Sequence, residues 1–250
     1  MKKLAVTSAV LAALMGAAPA IAGITLDVYG ERVTGTEKNE GLFGESSAKQ
    51  GVELAYGYEN LTLSAEATTG KDLDLGASYK FELGENFYLK PSAGYVYKWN
   101  KKDADFNKGV VSQYGNKTNV AKFGVEAGAA FGDFFTSARY RIDTNLDKTG
   151  LSINNTKVGE ARGSIGRTDL LVGYNLENVT LTAKGIHKSQ LNKDLRQIND
   201  NELVKNKNSF WSSELKATFT GYEGVAPYIQ YAHNHDNHDN AIKLGAKFSF

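Results

Sequence analysis

The stretch IKLGAKFSF, residues 242–250, decides how this chain folds. Ile242, Leu244, Ala246, Phe248 and Phe250 fall on one face; Lys243, Gly245, Lys247 and Ser249 fall on the other. Strict period-two alternation is the signature of a strand with one apolar and one polar side. Terminal residues fray unless they are tied down. An alternation kept up to the terminal carboxylate therefore predicts that this last strand has a partner, and a closed sheet supplies one by pairing it with the first.

The other end carries MKKLAVTSAVLAALMGAAPAIA, residues 1–22. Lys2 and Lys3 precede an apolar run from Leu4 to Ala18, and Ala20-Ile21-Ala22 is a small-x-small cleavage site. The run is shorter than the roughly 20 apolar residues of a membrane anchor and leads directly into a strand pattern. The expectation is an export leader cut after Ala22, followed by one β domain over 23–250. The chain contains no cysteine, which excludes a small disulfide-stapled fold. Without the leader it is near neutral, with 27 basic residues (29 less Lys2 and Lys3) against 28 acidic, and nothing points to nucleic acid.

Twelve segments alternate: 24–34, 50–59, 61–69, 72–82, 87–99, 120–131, 133–144, 166–177, 179–188, 210–220, 225–234 and 240–250. Most are ten to thirteen residues long, as a tilted strand needs to cross a bilayer. A soluble sandwich would alternate as well, so the connections decide. Five are tight: Glu59-Asn60, Gly84-Glu85-Asn86, Gly132-Asp133, Glu177-Asn178 and Gly221-Tyr222-Glu223-Gly224. They use residues that tolerate hairpin turns. Four others, 35–49, 100–119, 145–165 and 189–209, are long and polar. Short and long connections in alternation put all the long loops on one side, the pattern of a transmembrane antiparallel up-and-down barrel. The fold class is therefore all-β, with about twelve strands, loops outside the cell and both termini periplasmic. GYENLTLSAEA (57–67) and GYNLENVTLTAKG (173–185) share one strand-turn-strand unit. Pro91 and Pro227 fall inside strands, where a missing donor predicts local bulges.

The apolar face carries Leu63, Leu75, Phe123, Val125, Leu170, Val172, Ile229 and Leu244 among others, with aromatics gathered towards segment ends, as interfacial girdles require. The polar face would line a lumen. Twelve strands about 4.8 Å apart and tilted about 40–45° enclose a backbone diameter of roughly 25 Å. Segments one to four place Asp27, Glu31, Glu53, Glu66, Asp74 and Glu82 on this face against Lys80. Segments five to twelve place Lys90, Lys98, Lys122, Arg139, Arg141, Arg167, Lys184, Lys188, Lys216, Lys243 and Lys247 there, opposed by Glu126, Asp143, Asp169 and Glu214. Two readings follow: a wet pore whose charges pair, or a basic track for anionic solutes in which most cations lack a local partner.

FYLKPSAGYVYK (87–98), TSARYRID (136–143), ELKATFTGYEGVAPYIQYA (214–232) and IKLGAKFSF (242–250) resemble the oligogalacturonate-specific porins and the related sialic-acid channels. The resemblance implies a small, monomeric, twelve-stranded outer-membrane barrel that passes acidic oligosaccharides along inward basic residues, with Arg139-Tyr140-Arg141 as its most specific element. The acidity of the first four segments departs from that pattern. The expected partners are outer-membrane lipid and lipopolysaccharide, the barrel assembly machinery, and anionic or neutral small saccharides. No cofactor or metal is implied. A C-terminal aromatic is the general address of barrel assembly, which assigns Phe248 and Phe250 that role.

Other constellations stay open at this level. HNHDNHD (233–239) sets His233, His235 and His238 beside Asp236 and Asp239, a donor set suited to zinc, nickel or copper but carried on a hairpin tip. His187 and Ser189, with Asn208 nearby, have the spacing of an outer-membrane phospholipase. Asp103 and Asp105 with Asp236 and His238 mimic the rim of an outer-membrane protease. Loops such as NKDLRQINDNELVKNKNS (192–209) also fit an adhesin. Deleting Phe250 tests the terminal strand: the truncated chain should vanish from the outer-membrane fraction and be degraded, as read by immunoblot of separated membranes.

Overall fold

The computed structural model describes residues 23–34, 47–69, 72–99, 104–107, 110–111, 118–153, 156–194, 196, 208–236 and 238–250. The expected leader, with Ala22, lies outside them, as do Asp103 and most of the segments 35–49 and 189–209.

Twelve strands form the barrel wall: β1 (Gly23–Thr34), β2 (Ser47–Tyr58), β3 (Leu61–Thr68), β4 (Asp72–Tyr79, resumed after Lys80 as Phe81–Leu83) and β5 (Phe87–Lys98). They continue with β6 (Val120–Phe131), β7 (Phe134–Asn145), β8 (Ser164–Asn175), β9 (Val179–Gln190), β10 (Ser209–Phe219), β11 (Val225–Asn234) and β12 (Asn240–Ser249). Each pairs antiparallel with its sequence neighbours, and β12 pairs with β1 from Thr25↔Ser249 to Thr34↔Asn240. Beyond that ladder Phe250 N–H donates to the Ile24 carbonyl at 2.9 Å, so pairing runs to the last residue. The sheet is closed and has no free edge, which is the condition for a β structure to cross a membrane.

The tight turns are stitched to the neighbouring hairpins. Backbone carbonyls of Asn60, Asn86, Asp133, Asn178 and Gly224 accept N–H groups of Lys80, Ala130, Asn175, Thr220 and Ser249 at 2.8–2.9 Å. Gly84 and Gly132 adopt φ of 74° and 58°, a conformation that a side chain disfavours.

Neither proline makes a bulge, contrary to the expectation from sequence. The β5–β6 register runs unbroken through Pro91↔Val125. The missing donor falls instead where the β4 ladder is interrupted, between Ser78↔Ser92 and Phe81↔Leu89. Pro227 stays in register with Ala246 and lies just past Thr218↔Tyr228, where the β10–β11 ladder stops. A proline at a ladder gap or end loses no bond, so the strand has no reason to bend.

The long loops hold structure that the sequence pattern did not reveal. Ala104–Asn107, Val110–Val111, Thr149–Ile153 and Thr156–Ala161 form a second, four-stranded sheet. Leu151–Ile153 pairs parallel with Ala104–Phe106, tying the β5–β6 loop to the β7–β8 loop.

Contacts that skip a strand identify the concave face. Tyr29 on β1 reaches Glu66 on β3, Lys122 on β6 reaches Asp74 on β4, and Tyr228 on β11 reaches Asp27 on β1. Side chains converge in this way only inside a curved sheet. The convex face carries the apolar set, with Phe123 60%, Leu170 58%, Leu215 58% and Leu244 58% exposed. Aromatic pairs mark both ends of it: Tyr79–Phe81 and Phe87–Phe131 at the turn end, Tyr97–Trp99 at the loop end. A band of this kind facing outwards is the surface of a transmembrane barrel.

Inside, aromatic rings lie flat over glycines of the adjacent strand. A Cβ on Gly51 would meet the Tyr29 ring at 2.2 Å, on Gly128 the Tyr88 ring at 2.4 Å, on Gly173 the Phe135 ring at 2.1 Å, and on Gly245 the Tyr228 ring at 2.5 Å. In each case ring and glycine are direct cross-strand partners. Gly173→Val should displace Phe135 and destabilise the barrel by about 1–3 kcal/mol. Gly185→Ala, where the new methyl meets nothing within 4 Å, is the control. The temperature at which folded and unfolded bands interconvert on gels should fall for the first variant only.

Candidate functional site: the charged lumen

Strand parity places all the residues expected on the polar face on the concave side. In the register the acidic residues form a continuous row, Asp27↔Glu53↔Glu66↔Asp74, over β1 to β4. Glu31 lies two inward positions towards the long-loop end, past Tyr29, and faces Lys243. Glu82 sits at the turn rim, where Lys80 pairs with it at 3.2 Å. Asp72, missed in the sequence reading although it shares parity with Asp74, is also inward and takes Lys98 at 3.4 Å.

The basic residues are far more engaged than their numbers suggested. Lys90 pairs with Glu126 at 2.8 Å, Arg141 with Asp143, Arg167 with Asp169 at 2.7 Å, and Lys243 with Glu31 at 3.4 Å. Lys122 pairs with Asp74, Arg139 with Asp169, and Lys184 with Glu214. With Lys98, eight of the eleven inward cations of β5–β12 are in ion pairs. This corrects the expectation that most lack a local partner. The additional carboxylates come from the first four strands: Asp72, Asp74 and Glu31 take Lys98, Lys122 and Lys243, and Asp74 lies 48 residues from Lys122, two strands over.

Two rows of this wall differ in kind. Lys90↔Glu126↔Arg139↔Asp169 alternates in sign over β5 to β8. One step along, Arg141↔Arg167↔Lys188 sets three cations side by side on β7, β8 and β9. Asp169 holds the two rows together: its buried carboxylate accepts from Arg139 Nε at 2.8 Å and Arg167 Nε at 2.7 Å. Arg141 Nη2 donates to Asp143 Oδ2 at 2.8 Å, while its Nε lies 2.6 Å from Oδ1 without the alignment of a second bond. Lys188, Lys216 and Lys247 have no ion pair among the described residues, and Lys216 sits 3.7 Å above the Tyr228 ring. Tyrosine hydroxyls donate to inward carboxylates of both halves: Tyr29 to Glu66 and Tyr228 to Asp27 at 3.0 Å on the acidic side, and Tyr88 to Glu126 at 2.8 Å on the other.

Between the walls lies a polar cavity of about 340 Å³. Glu53, Glu66 and Asp74 line one side, and Lys122, Arg139 and Arg141 the other. Thr62, Ser64, Gly76, Ser78, Ser92 and Gly94 keep the wall between them low.

The metal-type and phospholipase-type constellations do not assemble among the described residues, and the protease-type one includes Asp103, which lies outside them. His233 Nδ1 lies 2.8 Å from Asn240 Oδ1 and His235 Nε2 lies 3.1 Å from Ser213 Oγ. No group of three His, Cys, Asp or Glu side chains among the described residues is arranged to hold a metal. His187 stacks on Trp211, 4.4 Å between ring centres, on the convex face, and no hydrogen bond joins it to Ser189. Asp236 accepts the Trp211 N–H at 2.6 Å, which ties the hairpin tip to β10.

The sequence matches no family model and no curated protein. Among solved structures, the NanC porin superposes with a TM-score of 0.67 at 16% identity, covering 89% of this chain and 98% of that one. The fold is that of the small outer-membrane porins. The KdgM porin gives 0.59 at 13% identity over 90% and 99% of the two chains. A COG4313 outer membrane channel from Pseudomonas putida F1 gives 0.59 at 14% over 94% and 97%.

Asp169→Asn tests the junction of the two rows. It leaves two guanidinium groups short of their shared counter-charge and should cost about 3 kcal/mol, read as earlier unfolding in urea.

Proposed function

We propose that this chain is an outer-membrane channel for passive diffusion of hydrophilic solutes, with no chemical step, and that its basic half admits acidic saccharides alongside neutral ones. The observation that carries this is the Arg141↔Arg167↔Lys188 row, three cations in register on the concave face of a closed twelve-stranded barrel. Like charges directly opposite one another weaken a sheet, and a low-dielectric wall focuses their field into the lumen. Lys188 has no ion pair to quench it, so a passing carboxylate meets a cation that is not already engaged. Guanidinium groups beside it offer forked donors suited to carboxylates.

The likeness to solved porins supports the reading, one of them described in complex with disordered oligogalacturonate. In this proposal residues 1–22 direct export, and Phe248 and Phe250 engage the assembly machinery. The tight turns and termini face the periplasm, while the long loops face lipopolysaccharide and the medium. The chain works as a monomer.

Lys188→Gln removes the unquenched charge without breaking a pair. In planar bilayers under a KCl gradient, the anion-to-cation permeability ratio should fall by roughly twofold at 0.1 M salt, with the unfolding midpoint unchanged. An unaltered reversal potential would leave the basic row without a part in selection.

A further inference from the structure

We infer that the convex face of β8–β11 is a docking site for a phosphate-bearing lipid of the leaflet at the long-loop end. An acyl chain lies along the barrel there, and histidines hold the headgroup phosphate. The inference goes beyond the channel reading, since it concerns the outer wall and needs only a barrel that spans a membrane.

The seat for the chain comes from a difference in side-chain size between adjacent strands. On the apolar face β8 presents Leu170 and Val172, and β10 presents Leu215, all of them exposed. Between them β9 presents only Ala183 and Gly185. These stand opposite Val172 and Leu170 on one side, and Leu215 and Ser213 on the other. Tall ridges beside a small-residue strand leave a trough, and a depression of about 760 Å³ lies over it. A second, of about 550 Å³, shares Val172, Ala183 and Leu215 and carries the trough past Leu181 and Ile229 towards the turn end. A Cβ on Gly185 would meet nothing within 4 Å, and a glycine inside a strand often marks close approach of a ligand to the backbone.

At the loop end of the trough the chemistry changes. Ser213 stands opposite His233, and its Oγ lies 3.1 Å from His235 Nε2. One convex position further towards the loops, His187 faces Trp211 across the strands and stacks on it. His238 lies on the adjoining hairpin tip, 6.3 Å from His233 between ring centres. The chain has four histidines, and all four gather at this one part of the wall. The side chains of His187 and Trp211 make no hydrogen bond among the described residues, so their donors are open to a headgroup. Tryptophan at a membrane boundary turns its ring to the chains and its N–H to the headgroups. Imidazole is the side chain that changes charge between pH 5 and 8. The other charged groups here are Asp236, whose carboxylate takes the Trp211 backbone N–H, Asp239 on the tip, and Arg32 of β1 in the Tyr231↔Ile242 row. β8 contributes the neutral Thr168 opposite His187, and Asn240 of β12 accepts from the Tyr231 hydroxyl. With neutral imidazoles, two carboxylates outweigh one guanidinium and repel a phosphate. Protonated imidazoles reverse the sign.

The test uses the full-length mature protein with Trp99→Phe, which leaves Trp211 as its one tryptophan. It is placed in phosphatidylcholine liposomes containing a minor fraction of phosphatidylglycerol, whose phosphodiester keeps one negative charge throughout the pH range. Quenching of Trp211 is compared with bromine on the acyl chains of one lipid or of the other. At pH 5.5 brominated phosphatidylglycerol should quench roughly threefold more per molecule than brominated phosphatidylcholine, and at pH 8 the two should be equal. His187→Gln, His233→Gln and His235→Gln together should remove the preference at pH 5.5. Gly185→Leu, which fills the trough, should weaken it, with the unboiled gel band confirming a folded barrel; Gly185→Val serves if that variant does not fold. Excess soluble glycerol phosphate should leave the preference intact. Equal quenching by the two lipids at pH 5.5, the same preference at pH 8, or a preference that survives the histidine or glycine variants would overturn the inference. Loss of the preference to glycerol phosphate would also overturn it, by assigning the patch to free phosphate instead of a lipid.

Discussion

Closure of the first strand on the last is the interaction on which everything else depends. A bilayer offers no water to satisfy backbone groups, so an open sheet edge could not persist there. The β1–β12 ladder removes that edge and carries pairing on to Phe250. Curvature follows, and with it a concave side where side chains two strands apart can touch. The Tyr29–Glu66, Lys122–Asp74 and Tyr228–Asp27 contacts are products of closure. So is the electrostatic character of the lumen, since an unrolled sheet would keep the acidic and basic walls on separate stretches of surface.

The interior balances two demands. Ion pairs such as Lys90–Glu126 and the Asp169 hub hold the wall and remove charge from the path of a solute. The like-charge rows concentrate charge, and only some of their members, Arg141, Arg167 and Asp74, also take part in such pairs. Tyrosine hydroxyls reconcile the two, because a neutral donor can steady Asp27 or Glu66 without cancelling its charge. That explains why tyrosines sit among the acidic residues of the lumen as well as at the membrane interfaces.

Much of this was legible in the sequence. Period two is a local signal, so all twelve barrel strands and the side chains on each face could be read from alternation, from Ile24 to Phe250. What depends on register could not. The partner of Lys122 is set by the stagger of three strands, and no spacing along the chain announces Asp74. The prolines misled because their effect depends on whether a neighbour needs the absent N–H. At Pro91 the ladder has a gap and at Pro227 it has ended. The small loop sheet escaped notice since strands of two to six residues, such as Val110–Val111, are too short to show a period.

The rings laid over glycines also constrain how the chain can diverge. A larger residue at Gly51 requires that Tyr29 first be lost, and losing Tyr29 takes the hydroxyl from Glu66 on the next strand. The same dependence joins Gly245, Tyr228 and Asp27. Neighbouring sites of this kind do not contribute additively, so each trio should drift as a unit. Single exchanges would be purged, and paired exchanges of glycine and aromatic would mark where a descendant had remodelled its lumen.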